Sequence, residues 1–169
     1  RGEYKMTIYL CGFMGCGKST IGELLAKKTG NAFCDTDELI VKNQAMTIPE
    51  IFSQKGEPYF RKVEAETVKS VCGKNAVVSC GGGAMLNSDT ADFVKKNGGK
   101  IIFLDVPFEE CYSRIGGDKN RPIVMNNTKE QLEEIYNNRH SLYEKNSTSM
   151  VEAVGSPNEI AETIVDILR

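Results

Sequence analysis

The sequence predicts an α/β fold, a three-layer sandwich built on a five-stranded parallel sheet. Two observations carry that prediction. Five short apolar runs end near Cys11, Cys34, Cys80, Asp105 and Val154, and each is followed by a stretch with helical spacing of its apolar residues. Strands that alternate with helices in this way pair in parallel and are covered on both faces. After the first run, Ile21, Leu24 and Leu25 share a helical face and Gly30 stops the helix. Thr47-Ile48-Pro49-Glu50 reads as a capping box with proline in the first turn, and Gly56 closes that helix. Phe60, Val63, Thr67, Val68 and Val71 form one apolar stripe on the next helix. Thr128-x-x-Gln131 and Ser156-Pro157-x-Glu159 mark two further helix starts. No repeat, low-complexity tract or linker interrupts the pattern, so residues 1–169 are expected to form a single domain, with the first five or so left out of the fold reasoning.

Composition excludes several classes of function. A net charge of −2 lacks the basic excess of a nucleic-acid-coating protein, so no nucleic-acid partner is expected. No apolar run approaches the ~18 residues of a membrane span, and the opening RGEYKM has no signal-peptide core. The six cysteines form no Cys-x-x-Cys pair and read as thiols of a reducing cytoplasm rather than disulfides or zinc ligands. His140 is the single histidine, which weakens a histidine base or a multi-histidine metal site. A cytoplasmic monomer with small-molecule partners and no membrane contact is the expectation.

The most specific motif is GFMGCGKS, Gly12 to Ser19, a full match to G-x-x-x-x-G-K-[ST] between a strand-like run and a helical one. Gly12, Gly15 and Gly17 let backbone N–H groups converge on phosphate oxygens, and the helix N-terminus adds positive potential. Lys18 is suited to the β- and γ-phosphates of ATP, and Ser19 to Mg²⁺. With Cys16 and Thr20, these residues are the expected ATP contacts. Cys16 stands beside a helix N-terminus, a setting that can make a thiol reactive, so alkylation there is expected to block ATP binding; a small filler is the plainer reading.

A second acid for the metal is sought at the end of an apolar strand, where Asp35 and Asp105 both qualify. Pro107 follows Asp105 closely, and a cap on the next helix explains that acid simply. Asp35 has a second carboxylate two residues on, Asp37, which an extended chain would place on the same side. Such a pair suits transfer to a hydroxyl, with Asp35 at the metal and Asp37 taking or orienting the acceptor proton. The plainer reading of Asp37 is an N-cap for a helix Glu38–Gln44. Further on, SCGGGAM puts Gly81, Gly82 and Gly83 at a strand's C-terminal end, where open α/β sheets bind ligands. GGDKNRPI, residues 116–123, is a polar, glycine-hinged stretch carrying Arg121 and reads as a lid over phosphates.

From about Thr7 to Leu168 the chain resembles the shikimate kinase family, part of the nucleoside-monophosphate-kinase-like group of P-loop NTPases. GFMGCGKST, DTD, GEPYFRKVE, CGGGA, RIGGDKNRP and NNRHSLYEK carry the resemblance, in that order. It implies a five-stranded parallel sheet with a substrate-binding helical segment, here about 36–64, and a mobile lid, here about 115–127. It also implies phosphorylation of the 3-hydroxyl of shikimate by Mg²⁺-ATP, with Lys18, Asp37 and Arg121 as catalytic residues. Asp35 and Ser19 would hold the metal. Arg61 and Arg139 would clamp the substrate carboxylate, for which a guanidinium fork is suited. Phe52 and Phe60 would pack on the ring, Gly81 to Gly83 would line it, and Arg114 would lie by the adenine. The adenine-side loop departs from the family in carrying Gly155-Ser156-Pro157, so Ser156 and Pro157 are expected to touch the base through backbone. Two other readings remain open at this point. One is a related small-metabolite kinase such as a gluconate kinase; the other is a non-catalytic ATP-binding regulatory subunit.

Overall fold

The computed structural model describes residues 6–119 and 121–169. Its core is a parallel sheet of five strands, β1 (Thr7–Cys11), β2 (Ala32–Asp35), β3 (Ala76–Ser79), β4 (Lys100–Asp105) and β5 (Ser149–Glu152). Their spatial order is β2-β3-β1-β4-β5, with Thr7 opposite Ala76 on one side of β1 and Ile8 opposite Lys100 on the other. Every residue of β1 is buried, although successive side chains point to opposite faces, so helices cover both sides of the sheet. Helix α1 (Lys18–Thr29) packs against α9 (Pro157–Leu168) and β3, whereas α5 (Ser88–Lys96) and α8 (Lys129–Asn146) pack against β4.

The expected start and stop signals are present. Gly30 ends α1 in a left-handed conformation, φ 72°, where a Cβ is costly. Thr47 caps α3 (Ile48–Lys55), and Gly56 separates it from α4 (Glu57–Ser70). Reciprocal capping boxes at Thr128–Gln131 and Ser156–Glu159 start α8 and α9. The predicted stripe on α4 is buried, from Phe60 to Val71, and Glu64 is buried among it at 3% exposure.

Two local expectations are corrected. DTD is not extended: β2 ends at Asp35 and α2 (Thr36–Gln44) begins at the next residue. Asp35 is the N-cap, its Oδ1 accepting from the amides of Asp37 at 2.9 Å and Glu38 at 3.2 Å, so Asp37 lies inside the first turn. Asp105 caps nothing. Helix α6 (Phe108–Ile115) starts after Pro107 without a side-chain cap, and the Asp105 carboxylate turns instead to His140 Nε2, 3.1 Å away.

Apart from the main core, Ile40, Ile51, Phe60 and Val63 form a smaller cluster, with Met46, Ile48, Phe52 and Tyr59 around it. It holds α2, α3 and α4 together and gives the expected substrate-binding segment a core of its own. In the main core, Tyr9 is fully buried and its hydroxyl donates to Val68 O at 2.8 Å, tying the central strand to α4. Burial pushes the Tyr9 phenol well above its ordinary pKa, which keeps it a donor. Tyr9→Phe leaves the Val68 carbonyl without its donor and is expected to cost about 1–3 kcal/mol. Urea unfolding checks this: the midpoint should fall with an unchanged slope.

Candidate active site

Three chain segments reach the C-terminal edge of the sheet at neighbouring strands: the loop after β1, the DTD turn after β2 and the glycine triplet after β3. Thr36, fully buried, ties two of them, its Oγ1 accepting from Gly81 N at 3.1 Å and donating to Ser79 O at 3.4 Å. Two cavities open there. One, of about 240 Å³, is lined by Gly15, Gly17, Lys18, Ser19, Thr20, Asp35 and Arg114, with Ser79 and Cys80 at its floor. The other, of about 250 Å³, is lined by Phe52, Phe60, Arg61, Glu64, Gly83 and Arg139, together with Met14, Ile48 and residues of the expected lid. Asp37, Gly81, Gly82 and Arg121 line both, and therefore mark the junction.

In the first cavity, the loop glycines at 15 and 17 have φ of 80° and 95°, values that admit glycine and strain most other residues. A Cβ on Gly15 would also lie 2.8 Å from Cys111 O. Lys18 Nζ donates to Gly12 O at 2.8 Å and Phe13 O at 3.2 Å, which curls its side chain over the loop. Ser19 Oγ donates to Asp35 Oδ2 at 3.2 Å, so the hydroxyl and carboxylate expected at one metal are adjacent. Arg114 Nη1 donates to Gly15 O and Nη2 to Glu110, both at 2.8 Å, which fixes the guanidinium at the cavity edge.

Four of the expected nucleotide contacts are not among the residues that line this cavity. A Cβ on Gly12 would lie 2.8 Å from Leu104 O, so its Cα faces the strand end of β4. Cys16 is 2% exposed and its amide donates within the loop to Phe13 O, so a thiol reagent has no access to it and the alkylation expectation falls. Ser156 and Pro157 line neither of these two cavities; the Ser156 side chain accepts from Glu159 N as a helix cap.

The second cavity is more charged than apolar at its inner end. Asp37 lies beside Gly81 and Arg61 beside Gly83, each within the space that a Cβ would need, while Arg139 packs beside Gly82 at ordinary contact distance. At Gly81 that Cβ would stand 2.7 Å from Asp37 Oδ1 and 3.1 Å from Glu64 Oε2. Gly81 and Gly83 therefore clear room for side chains that converge on the cavity. Arg61 Nη1 donates to Glu64 Oε1 at 2.8 Å and stacks beside Phe60, its Cζ 5.3 Å from the ring centre. The Phe52 and Phe60 rings are 4.9 Å apart and form one wall. Burial pushes the Asp37 carboxyl above the ordinary range, Asp35 adds to that, and Lys18, Arg121 and Arg61 pull it back. Burial likewise raises Glu64 against the pull of Arg61. Asp37 Oδ1 and Arg139 Nη1 are buried with no hydrogen-bond partner among the described residues.

At the mouth, Arg121 Nε pairs with Asp118 Oδ2 at 2.9 Å, just before the short helix α7 (Pro122–Met125). Asn120, inside the expected lid, is outside the described residues. Sequence reasoning missed Glu64, Ser79 and Asp118 as site residues. Glu64 did leave a signal: a carboxylate one helical turn from Phe60 falls on an otherwise apolar face, and acids are rarely buried without a partner. Ser79 and Asp118 left none.

The arrangement pairs a phosphate-binding loop with a cavity offering a buried carboxylate and two guanidinia, and comparison with known proteins agrees. A family model described as shikimate kinase matches residues 14–169. The shikimate kinase of Persephonella marina is 40% identical over 163 residues, covering 96% of this chain and 98% of that protein. That of Streptococcus gordonii is 41% identical, covering 94% and 98%. A solved structure of shikimate kinase from Acinetobacter baumannii in complex with shikimate superposes with a TM-score of 0.92 at 32% identity, over 98% of this chain and 94% of that one. A gluconokinase from Sinorhizobium meliloti shares the fold, with a TM-score of 0.59 at 17% identity over 99% and 93%. A match of this length and identity, at a site with these residues, places the chain in the shikimate kinase family.

Proposed function

We propose that this chain transfers the γ-phosphoryl group of ATP to the 3-hydroxyl of shikimate, giving shikimate 3-phosphate and ADP. One observation carries the acceptor side of this reading. A buried unpartnered acceptor, Asp37 Oδ1, and a buried unpartnered donor, Arg139 Nη1, belong to one cavity. Buried polar groups require partners, so the molecule that fits supplies a hydroxyl to one and an anionic oxygen to the other. A hydroxy acid does both. Membership of the shikimate kinase family, and the shikimate in the Acinetobacter baumannii structure, favour shikimate among such acids. The gluconokinase likeness extends to the fold alone, and placement of Lys18, Asp37 and Arg121 around the junction disfavours a non-catalytic subunit.

In this reading the phosphates lie on the loop amides and Lys18 Nζ leaves its carbonyl partners for the β- and γ-phosphate oxygens. Arg61 and Arg139 grip the acid group, Phe52 and Phe60 pack on the ring, and Glu64 holds Arg61 in place. Asp37 orients the 3-hydroxyl and takes its proton as the new O–P bond forms and the bond to the β-phosphate oxygen breaks. Arg121 balances charge on the moving phosphoryl group. Ser19 and Asp35 offer two hard oxygens at the nucleotide cavity, and no cluster of three or more acidic, His or Cys side chains among the described residues is placed to hold a metal alone. That donor set fits Mg²⁺, which Ser19 and Asp35 would hold and which would supply charge neutralisation at the phosphates when bound. Residues 36–64 serve as the acceptor-binding segment and 115–127 as the lid of a single domain. The adenine end is assigned to Arg114 and to the backbone at Ser156 and Pro157. A cytoplasmic monomer belongs to the same reading; no helix among the described residues is long and apolar enough to cross a membrane.

A steady-state assay with ATP and a panel of hydroxy acids tests the assignment; preferential turnover of another acid overturns it. Asp37→Asn is expected to lower kcat by roughly 10²-fold or more, the scale of a positioned base, with ATP affinity little changed. Because burial raises the Asp37 carboxyl, wild-type kcat should decline as the pH falls through that raised value, at a higher pH than an ordinary carboxylate would give. A kcat within a few-fold of wild type in Asp37→Asn would reduce Asp37 to a structural acid.

Gly83→Ala tests the clearance role separately, since the new methyl group occupies the place of the Arg61 guanidinium. Charge-assisted hydrogen bonds contribute ~1.5–3 kcal/mol each, so KM for shikimate should rise by about one to two orders of magnitude. KM for ATP should stay near wild type, and shikimate methyl ester should lose less from the substitution than shikimate does. Equal losses for acid and ester would show that Gly83 does not act through the clamp.

A further inference from the structure

Helix α8 carries four polar side chains at helical spacing, Tyr136, His140, Tyr143 and Asn146, and each is bonded to the C-terminal rim of the sheet or to the turn after β3. Tyr136 donates its hydroxyl to Val106 O at 2.6 Å, and Asn146 Nδ2 donates to Met85 O at 2.8 Å. His140 pairs with Asp105, and the Tyr143 hydroxyl donates to Gly82 O. Arg139 stands within this row, one turn before Tyr143. Gly82 is thus held from two sides: its carbonyl by Tyr143, and its open Cα face by Arg139, whose Nη1 lies 3.5 Å from where a Cβ would be. Tyr143 is 1% exposed and its ring lies 5.2 Å from that of Phe103, so the phenol has little freedom to move away. Burial pushes that phenol well above its ordinary pKa, while the Arg139 guanidinium pulls the other way; the phenol stays a donor beside a cation.

We infer that Tyr143 is a positioning residue for acceptor recognition: its bond to Gly82 O sets the spacing between α8 and the glycine turn and so aims the Arg139 guanidinium at the acceptor's carboxylate. The inference rests on the shikimate reading above. Its chemistry is that of a rigid spacer. Arg139 Nη1 has no partner of its own among the described residues, so its position is fixed by the neighbours that its helix and the glycine turn present. The Tyr143 hydroxyl bonds to the very residue the guanidinium faces, one turn along the same helix, and also lies close enough to the guanidinium to interact with it directly.

The test is Tyr143→Phe, which keeps the ring and its packing on Phe103 and removes only the hydroxyl. Wild-type enzyme is assayed first with ATP and shikimate; absence of turnover would overturn the functional reading itself, and this inference with it. Given turnover, Tyr143→Phe is expected to raise KM for shikimate roughly five- to ten-fold, the effect of one hydrogen bond, with KM for ATP and kcat within about two-fold. The same substitution in an Arg139→Ala background should add little, because its effect passes through Arg139. A thermal melt on each variant confirms folding. Unchanged KM for shikimate, parallel rises in KM for both substrates, or a full additional penalty in the Arg139→Ala background would each overturn the role assigned to Tyr143.

Discussion

Three residues without side chains, Gly81 to Gly83, stand among three charged side chains, two of which occupy space that a Cβ at Gly81 or Gly83 would need. Asp37, Arg139 and Arg61 each lie against one of them, and Glu64 lies against the first as well. Charges gathered this closely out of water are expensive unless they compensate one another. Here Arg61 and Glu64 pair directly, and the upward pull of burial on Asp37 is opposed by Lys18, Arg121 and Arg61. The balance leaves one acceptor and one donor unanswered, which makes the cavity a receptor for a molecule of complementary chemistry rather than a closed structural network.

Sheet order is what brings these parts together. Because β3 lies between β2 and β1, the phosphate loop after β1, the acid pair after β2 and the glycine turn after β3 emerge at adjacent strand ends. Ligands of open α/β sheets bind at this edge for that reason. Asp35 then serves two local demands at once. One oxygen caps α2, satisfying amides that a helix start would leave bare, and the other accepts from Ser19 across to the phosphate loop. Asp37 is carried by the first helical turn to the junction of the two cavities.

The acceptor side is built with some independence from the sheet. Its wall of Phe52 and Phe60 belongs to the small cluster that holds α2, α3 and α4 together, outside the main core. Arg139 comes from α8, whose row of bonds to the sheet rim fixes it on the main body. The two guanidinia assigned to one carboxylate therefore stand on different helices, α4 and α8, and their spacing depends on how those helices meet around the glycine turn.

Periodicity and punctuation in the sequence were sufficient for the five strands, the helix starts at Thr47, Thr128 and Ser156, and the phosphate loop, because burial and capping leave each a pattern within its own few residues. The family motifs located Asp35, Asp37, Arg61, Gly81 to Gly83, Arg121 and Arg139, and the fold brings all of them to two adjoining cavities. Local pattern misjudged the places where competition was decided at longer range. Asp105 could cap a helix or bond to a residue 35 positions away, and packing of α8 over β4 chose His140. Cys16 carried a motif suited to reactivity, but burial beneath its own loop removes it from solvent. The burial of Glu64, the bond from Tyr143 to Gly82 and the reason for three consecutive glycines were decided by tertiary structure alone. Each depends on side chains from α2, α4 and α8 meeting at one turn, and no spacing along a single segment encodes that meeting.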